Sequence, residues 1–184
     1  MLRVLAFAGA LRAGSYNRKL VRLAVETLRG KTEVDLLDLR EVMMPLYDGD
    51  LEEKEGLPQG ARAFKARIAA ADALVISTPE YNNSVPGTLK NAIDWASRPP
   101  DNPFKEKVVL LMGASPGQFG AVRGTIAVRQ ILTSLNAVVI PSGVLIARAD
   151  QAFDETGAIK DGRSRAQIDK ACAELVRMAT ALKG

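Results

Sequence analysis

The sequence predicts an open α/β fold, in which helices cover both faces of a doubly wound, five-stranded parallel sheet with strand order 2-1-3-4-5. Two observations predict it. Five short apolar runs alternate with about five segments of helical periodicity, as they do in consecutive βαβ units. Three of these runs are apolar almost throughout, as strands are when helices cover both sides of a sheet. Such sheets bind ligands at the carboxyl ends of their strands, here beside strands 1 and 3.

The elements follow in order along the chain. The predicted strands are residues 3–8, 34–39, 73–78, 108–114 and 137–141. Residues at helical spacing share one face of the first and of the last helix. They are Leu20, Ala24, Thr27 and Leu28 in the first, and Ile168, Cys172, Leu175, Ala179 and Leu182 in the last. Residues 41–58 are expected to form a long functional or contact loop, and the proline-rich residues 98–103 to stop a helix.

Composition excludes several classes of function. A chain of 184 residues is expected to form one domain, residues 1–184. No run approaches the roughly 20 apolar residues of a membrane span, and a single cysteine, Cys172, favours a reducing, cytoplasmic compartment. The absence of histidine excludes Ser-His-Asp triads and imidazole-ligated metals. The net charge of +4 is not gathered into one stripe, so small anions are expected as ligands rather than nucleic acid.

The loop after the first strand, residues 9–20, predicts a site for one terminal phosphate. It lacks the dinucleotide fingerprint, because Leu11 occupies a required glycine position, and Ser15 stands where a triphosphate-binding loop has its lysine. The amides that begin the following helix favour an anion. Arg12 can donate paired hydrogen bonds to phosphate oxygens, and Ser15 and Asn17 can donate from their side chains. The alternative is that Ser15 or Asn17 only caps the helix, with Arg12 on the surface.

The loop after the third strand, residues 78–86, carries more polar and aromatic side chains than a connector needs. Because strands 1 and 3 are neighbours, it lies beside the phosphate loop. Backbone N–H groups from Glu80 to Asn82 can meet the acceptor edge of a flat heterocycle, and Tyr81 can cover or border its ring. In the next helix, Asp94 is expected to be solvated or structural, and four apolar residues are expected to pack. These four are Leu89, Ala92, Ile93 and Trp95.

The loop after the fourth strand, residues 115–120, is a third candidate. Its glycines allow close approach to the backbone, although Ser-Pro-Gly is also common in ordinary turns. Just beyond it, Arg123 either attracts the phosphates of a nucleotide or forms an ion pair. Because this loop lies at the same sheet edge as the other two, it strengthens the prediction of a ligand site.

These motifs resemble those of the NAD(P)H-dependent FMN reductases, a family of flavodoxin-like fold, and within it the quinone and chromate reductases. The resemblance runs from the first strand to about Arg148. It implies non-covalently bound FMN, with the phosphate in the first loop and the isoalloxazine between the second and third. The residues implied are Ala10, Leu11, Arg12, Ser15, Tyr16 and Asn17 at the phosphate, Pro79, Glu80, Tyr81 and Asn82 along the ring, and Ser115 and Gly117 at its other side. The family usually has serine in place of Ala10, so one donor worth roughly 1 kcal/mol is missing.

The resemblance also implies an activity. NAD(P)H is expected to give a hydride to the flavin and leave before a quinone, flavin, azo or chromate-type acceptor enters, which is a ping-pong mechanism. Because the flavin carries the redox chemistry, no catalytic side chain is expected. A homodimer or homotetramer is implied as well. The alternatives are a cofactor-free module and a flavodoxin-like electron carrier, against which the positive net charge and the 5% of aromatic residues argue.

Overall fold

A computed structural model describes residues 1–183, and within them six strands form one parallel sheet. The strands are β1 (Arg3–Ala8), β2 (Glu33–Leu37), β3 (Ala73–Thr78), β4 (Val108–Ala114), β5 (Val138–Val139) and β6 (Val144–Ile146). Their order is β2-β1-β3-β4-β5, and β6 also pairs with β4. The predicted fold class and strand order are confirmed, and β1, β3 and β4 have the predicted bounds.

Helices cover both faces of this sheet. They are α1 (Tyr16–Leu28), α2 (Gly49–Glu55), α3 (Gln59–Ala70), α4 (Gly87–Ala96), α5 (Val122–Ser134), α6 (Ala149–Ala152) and α7 (Gly162–Lys183). Side chains alternate along β1, so that Ala6 belongs to the core cluster that includes α1 and α7, whereas Leu5 and Phe7 belong to the cluster that includes α3, α4 and α5. Within residues 1–183, no helix is long and apolar enough to cross a bilayer.

The predicted helix faces are buried, with one exception. In α7, Cys172 is 1% exposed, and burial raises the pKa of its thiol to about 12. Leu182 was expected on the same face, but its side chain is 59% exposed. Leu182 lies in the last turn of α7, so the prediction was wrong at this position. In α1, Leu20, Ala24 and Leu28 are buried as predicted, and Thr27 is half-buried.

The fifth strand differs from the prediction of one run over residues 137–141. Two short strands, β5 and β6, lie beside β4 one after the other. Between them Pro141 interrupts the sheet, because proline has no backbone N–H to donate. The Arg129 guanidinium donates hydrogen bonds to the carbonyl oxygens of Val139 and Ile140, at 3.1 and 2.9 Å. The Arg129 side chain thus ties the end of β5 to α5.

The stretch predicted as a long loop, residues 41–58, contains a helix. After a short 3₁₀ helix, Leu39–Val42, the chain is extended until Asp48 caps α2, with its side chain accepting a hydrogen bond from the Asp50 N–H at 2.9 Å. No residue of α2 is buried. An exposed helix has no apolar periodicity to reveal it, and for this reason the sequence did not predict α2.

Candidate functional site

Three loops meet at the carboxyl edge of β1, β3 and β4. The register of these strands places Ala8 opposite Ser77 and Thr78 opposite Gly113. The loops that follow them therefore begin at one level, and the Gly9 N–H donates to the Ser77 carbonyl at 2.8 Å. We call residues 9–15 loop 1, residues 79–86 loop 2 and residues 115–121 loop 3. The predicted sites in the three loops thus lie side by side.

Loop 1 leaves hydrogen-bond donors without partners. The Ser15 hydroxyl caps α1, accepting from the Asn17 N–H at 3.2 Å. The backbone N–H groups of residues 11–14 and of Tyr16 have no acceptor within residues 1–183. Among the same residues the exposed Arg12 side chain has no hydrogen-bond or ion-pair partner. Free N–H groups at a helix N-terminus and an unpaired guanidinium are suited to an oxyanion.

The Asn17 side chain is used to join elements of the fold. Its side chain is buried, its Oδ1 accepts from the Ala114 N–H and the Ser77 hydroxyl, and its Nδ2 donates to the Ala114 carbonyl, each at 2.9 Å. These bonds join α1 to β3 and β4. The side chain therefore points into the edge of the sheet, and this geometry does not favour the predicted contact between Asn17 and a phosphate.

Tyr16 and Ala10 flank loop 1. The Tyr16 ring stacks on Phe153, with ring centroids 6.0 Å apart, and the Lys19 ammonium lies 5.7 Å from the Tyr16 ring centroid. The backbone N–H of Tyr16 is free to meet a ligand, and its ring is stacked on Phe153. Ala10 is 5% exposed, and because it is an alanine it has no side-chain group that could donate a hydrogen bond.

Loop 2 is shaped by a tight turn. Asn82 and Asn83 both have positive φ, 49° and 63°, a conformation that asparagine tolerates better than most residues. The turn is closed by two hydrogen bonds between Tyr81 and Ser84, at 3.1 and 3.0 Å. The Tyr81 N–H is thus used within the turn, contrary to the expectation that it faces a ligand. The N–H groups of Glu80 and Asn82 have no acceptor within residues 1–183, and the Tyr81 ring is 53% exposed.

Glu80 joins loop 2 to the start of α5. Its carboxylate accepts from the Arg123 N–H at 2.8 Å, the Arg123 Nη1 at 2.9 Å and the Gly124 N–H at 3.3 Å. Burial of the Glu80 carboxyl raises its pKa, but these bonds outweigh burial and hold the pKa below its ordinary value. A side chain at Gly124 would place its Cβ 2.7 Å from the Pro79 carbonyl oxygen, so glycine permits this approach.

Loop 3 is supported by the segment that follows β6. The Ser115 N–H donates to the Ile146 carbonyl, and the Ala149 and Arg148 N–H groups donate to the carbonyls of Ser115 and Gly117, at 3.0 to 3.1 Å. The Arg123 guanidinium lies 4.9 Å from the centroid of the exposed Phe119 ring. Of the two alternatives for Arg123, the structure shows the ion pair, and its partner is Glu80. Because Arg123 contacts both Glu80 in loop 2 and Phe119 in loop 3, it links the two loops.

Helix α4, which follows loop 2, holds the extended segment before α2. Asn91 Nδ2 and Trp95 Nε1 both donate to the Pro45 carbonyl at 2.8 Å, and Asn91 Oδ1 accepts from the Tyr47 N–H at 2.8 Å. The Tyr47 hydroxyl donates to Glu52 at 2.9 Å. Leu89, Ala92, Ile93 and Trp95 are buried as predicted, and Asp94 pairs with Lys90 at 2.7 Å. The role of Asn91 was not predicted, because no local pattern reveals so distant a partner.

Within residues 1–183 no group of histidine, cysteine, aspartate and glutamate residues is arranged to hold a metal ion.

The model of a known family, NADPH-dependent FMN reductase, matches residues 2–151. The chain belongs to this family. The resemblance inferred from its three motifs is confirmed.

Two relatives and one solved structure show how closely this chain resembles other members of the FMN reductase family. An NAD(P)H-dependent FMN reductase of Pseudomonas aeruginosa is 39% identical over 184 residues, which are 100% of this chain and 98% of the relative. A quinone reductase of Escherichia coli is 44% identical over 140 residues, 76% of this chain and 73% of the relative. Among solved structures, the flavoenzyme NAD(P)H:(acceptor) oxidoreductase FerB of Paracoccus denitrificans has a TM-score of 0.85 at 30% identity, and 98% of each chain is covered.

Proposed function

We propose that this chain holds FMN in loops 1, 2 and 3 and catalyses NAD(P)H-dependent reduction of a quinone or a similar acceptor. One observation carries the proposal: loop 1 presents unpaired backbone N–H groups and the unpaired Arg12 at the sheet edge that it shares with the other two loops. These donors fit the doubly charged phosphate of a mononucleotide. The relatives named as FMN reductase and quinone reductase support the choice of ligand and reaction.

Each loop has a separate task in this proposal. Arg12, Ser15 and the backbone N–H groups of Ala10, Leu11 and Tyr16 would hold the phosphate, with Ser15 also capping α1. Pro79, the N–H groups of Glu80 and Asn82, and the exposed Tyr81 ring would border the isoalloxazine on one side, and Ser115 and Gly117 on the other. The Glu80 carboxylate would not contact the flavin. It would position loop 2 against α5, because it is bonded to Arg123 and Gly124.

FMN, when bound, supplies the hydride-accepting and electron-donating chemistry. The protein then needs to position the ring and leave one face open, and we assign no side chain to acid or base catalysis. We propose that NAD(P)H and the acceptor occupy this open face in turn. Quinones are the preferred acceptor class, and free flavins, azo compounds and chromate are further candidates for an open face.

The decisive experiment is the visible spectrum of the purified, FMN-reconstituted protein before and after anaerobic addition of NADPH or NADH. Bleaching of the flavin absorbance, followed by its return when a quinone is added, is the expected result. Flavin that stays oxidised with both nucleotides would indicate an electron carrier. Protein that stays colourless after reconstitution would contradict the FMN site. Steady-state rates should then give parallel double-reciprocal lines, and intersecting lines would contradict one shared face.

We propose that the enzyme assembles as a homodimer or homotetramer in the cytoplasm. Met43 and Leu46, in the segment that Asn91 and Trp95 hold, are 56% and 82% exposed. Exposed apolar side chains on a segment anchored by hydrogen bonds suit a subunit interface. Light scattering should give a multiple of 19.7 kDa, and Leu46→Glu should lower it. A monomeric wild-type protein would contradict this assembly.

A further inference from the structure

A cavity of about 250 Å³ lies beside loop 1, away from loops 2 and 3. It opens between the carboxyl ends of β1 and β2 and one side of α1, and we call it the β1–β2 cavity. Its lining includes Arg18, Val21, Arg22, Leu36, Asp38 and Glu41. Two arginines, two carboxylates and an apolar wall thus surround one small space.

The two arginines of the cavity have unused donors. Arg18 and Arg22 lie four residues apart on α1, a spacing that places side chains on one face of a helix. Arg18 Nη2 donates to Asp38 at 2.8 Å, but its Nη1 is buried and has no partner within residues 1–183. Arg22 is exposed and forms no hydrogen bond or ion pair with the same residues. A buried guanidinium N–H without an acceptor is unfavourable.

The carboxylates of the cavity are already paired. Asp38 accepts from Arg18 and from Arg40, the latter at 2.6 Å. Hydrogen bonding from the Arg40 side chain is the largest influence on the Asp38 carboxyl and contributes to a pKa of about 2. Glu41 pairs with Arg67 at 3.3 Å. Both carboxylates of the cavity therefore already have cationic partners. The two arginines, in contrast, still have N–H groups without acceptors within residues 1–183.

The size of the cavity limits its ligand. Sites for whole drug-sized ligands enclose roughly 300–1,000 Å³, so a space of about 250 Å³ suits a small group or one end of a larger molecule. Its donors suit an oxyanion, and Leu36 and Val21 give it an apolar side. A phosphate on a small organic group has both properties.

We propose that the β1–β2 cavity is a second phosphate site, in which the side chains of Arg18 and Arg22 bind the phosphate of a phosphate monoester. Two sources carry this group: the 2′-phosphate of NADPH and a free phosphate ester. Binding of the group does not depend on the proposed oxidoreductase function. Only the assignment to NADPH depends on it.

The first test measures inorganic phosphate binding calorimetrically in Arg12→Gln protein at constant ionic strength. This background weakens loop 1 as a competing site. Saturable binding is expected, roughly tenfold weaker when Arg22→Gln is added and partly restored by Arg22→Lys. Arg177→Gln is the matched control, because Arg177 is exposed on α7 and lacks a partner within residues 1–183. Equal affinity with and without Arg22→Gln would overturn the proposal, even if the protein binds no flavin.

The second test identifies the source of the phosphate in the otherwise wild-type, FMN-loaded protein. If NADPH supplies it, Arg22→Gln raises the KM for NADPH several-fold and leaves the KM for NADH unchanged. If both KM values stay unchanged while phosphate binding is lost, the site belongs to a free phosphate ester. A crystal soaked in phosphate should show the anion against Arg18 and Arg22, and phosphate found only in loop 1 would overturn the site.

Discussion

Loops 1 and 2 are both rich in polar groups, but they use them differently. Loop 1 leaves the N–H groups of residues 11–14 and the Arg12 side chain without partners within residues 1–183. In loop 2, Glu80 is bonded to α5, and the Tyr81 N–H closes a turn. Polar groups that the fold has already paired are scaffold, and those that it leaves unpaired are available to a ligand. This difference separates residues expected to affect stability from residues expected to affect binding.

The largest expected effect is on stability, at Asn17. Asn17→Ala removes three hydrogen bonds and leaves buried groups of Ser77 and Ala114 unpaired. The free energy of unfolding should fall by about 3 kcal/mol, measured by urea denaturation of the flavin-free protein. In the same measurement Arg12→Ala should change it by less than about 0.5 kcal/mol. Equal losses in the two variants would remove the distinction between scaffold and ligand-facing residues.

Substitution of Arg12 should weaken FMN binding rather than lower stability. Arg12→Ala should weaken FMN binding by about 1.5–3 kcal/mol, the range for hydrogen bonds to charged groups, because the side chain has no other partner within residues 1–183. Quenching of flavin fluorescence measures the affinity. Arg177→Ala is the control for a lost surface charge. An unchanged Kd for FMN would take Arg12 out of the site.

Glu80 should contribute to stability in a pH-dependent way. Its folded-state pKa lies below the ordinary value of 4.5, so its contribution is complete above that pH and is lost as the pH falls through the folded-state pKa. Glu80→Gln should cost about 1–2 kcal/mol at pH 7 and progressively less in acid. Urea denaturation over a pH series checks this. A difference between variant and wild type that stays constant with pH would contradict it.

The smallest expected effect is a gain at Ala10. Ala10→Ser adds a hydroxyl beside the free donors of loop 1. The expected result is an FMN Kd lower by about fivefold, which corresponds to roughly 1 kcal/mol. Ala13→Ser is a matched control, because Ala13 lies in the same loop but is exposed. A weaker or unchanged affinity for Ala10→Ser would mean that the added hydroxyl does not reach the ligand.

The sequence predicted the features that depend on local pattern. Strand β3, for example, is buried throughout and is polar only at its last two residues, and a short apolar run of this kind predicts a buried strand. The exposed helix α2 has no such pattern. Pairings between distant residues, such as Glu80 with Arg123 or Asn91 with Pro45, follow from the packing of elements far apart in the chain. For the same reason the sequence located all three loops but could not separate the role of Asn17, in the first turn of α1, from that of Arg12 in loop 1.

The most direct test of the three-loop site is a crystal structure of the protein with FMN. The phosphate should accept hydrogen bonds from the backbone N–H groups of loop 1 and from Arg12, with the isoalloxazine between loops 2 and 3. FMN bound at any other place, or absent at saturating concentration, would contradict the assignment of these loops.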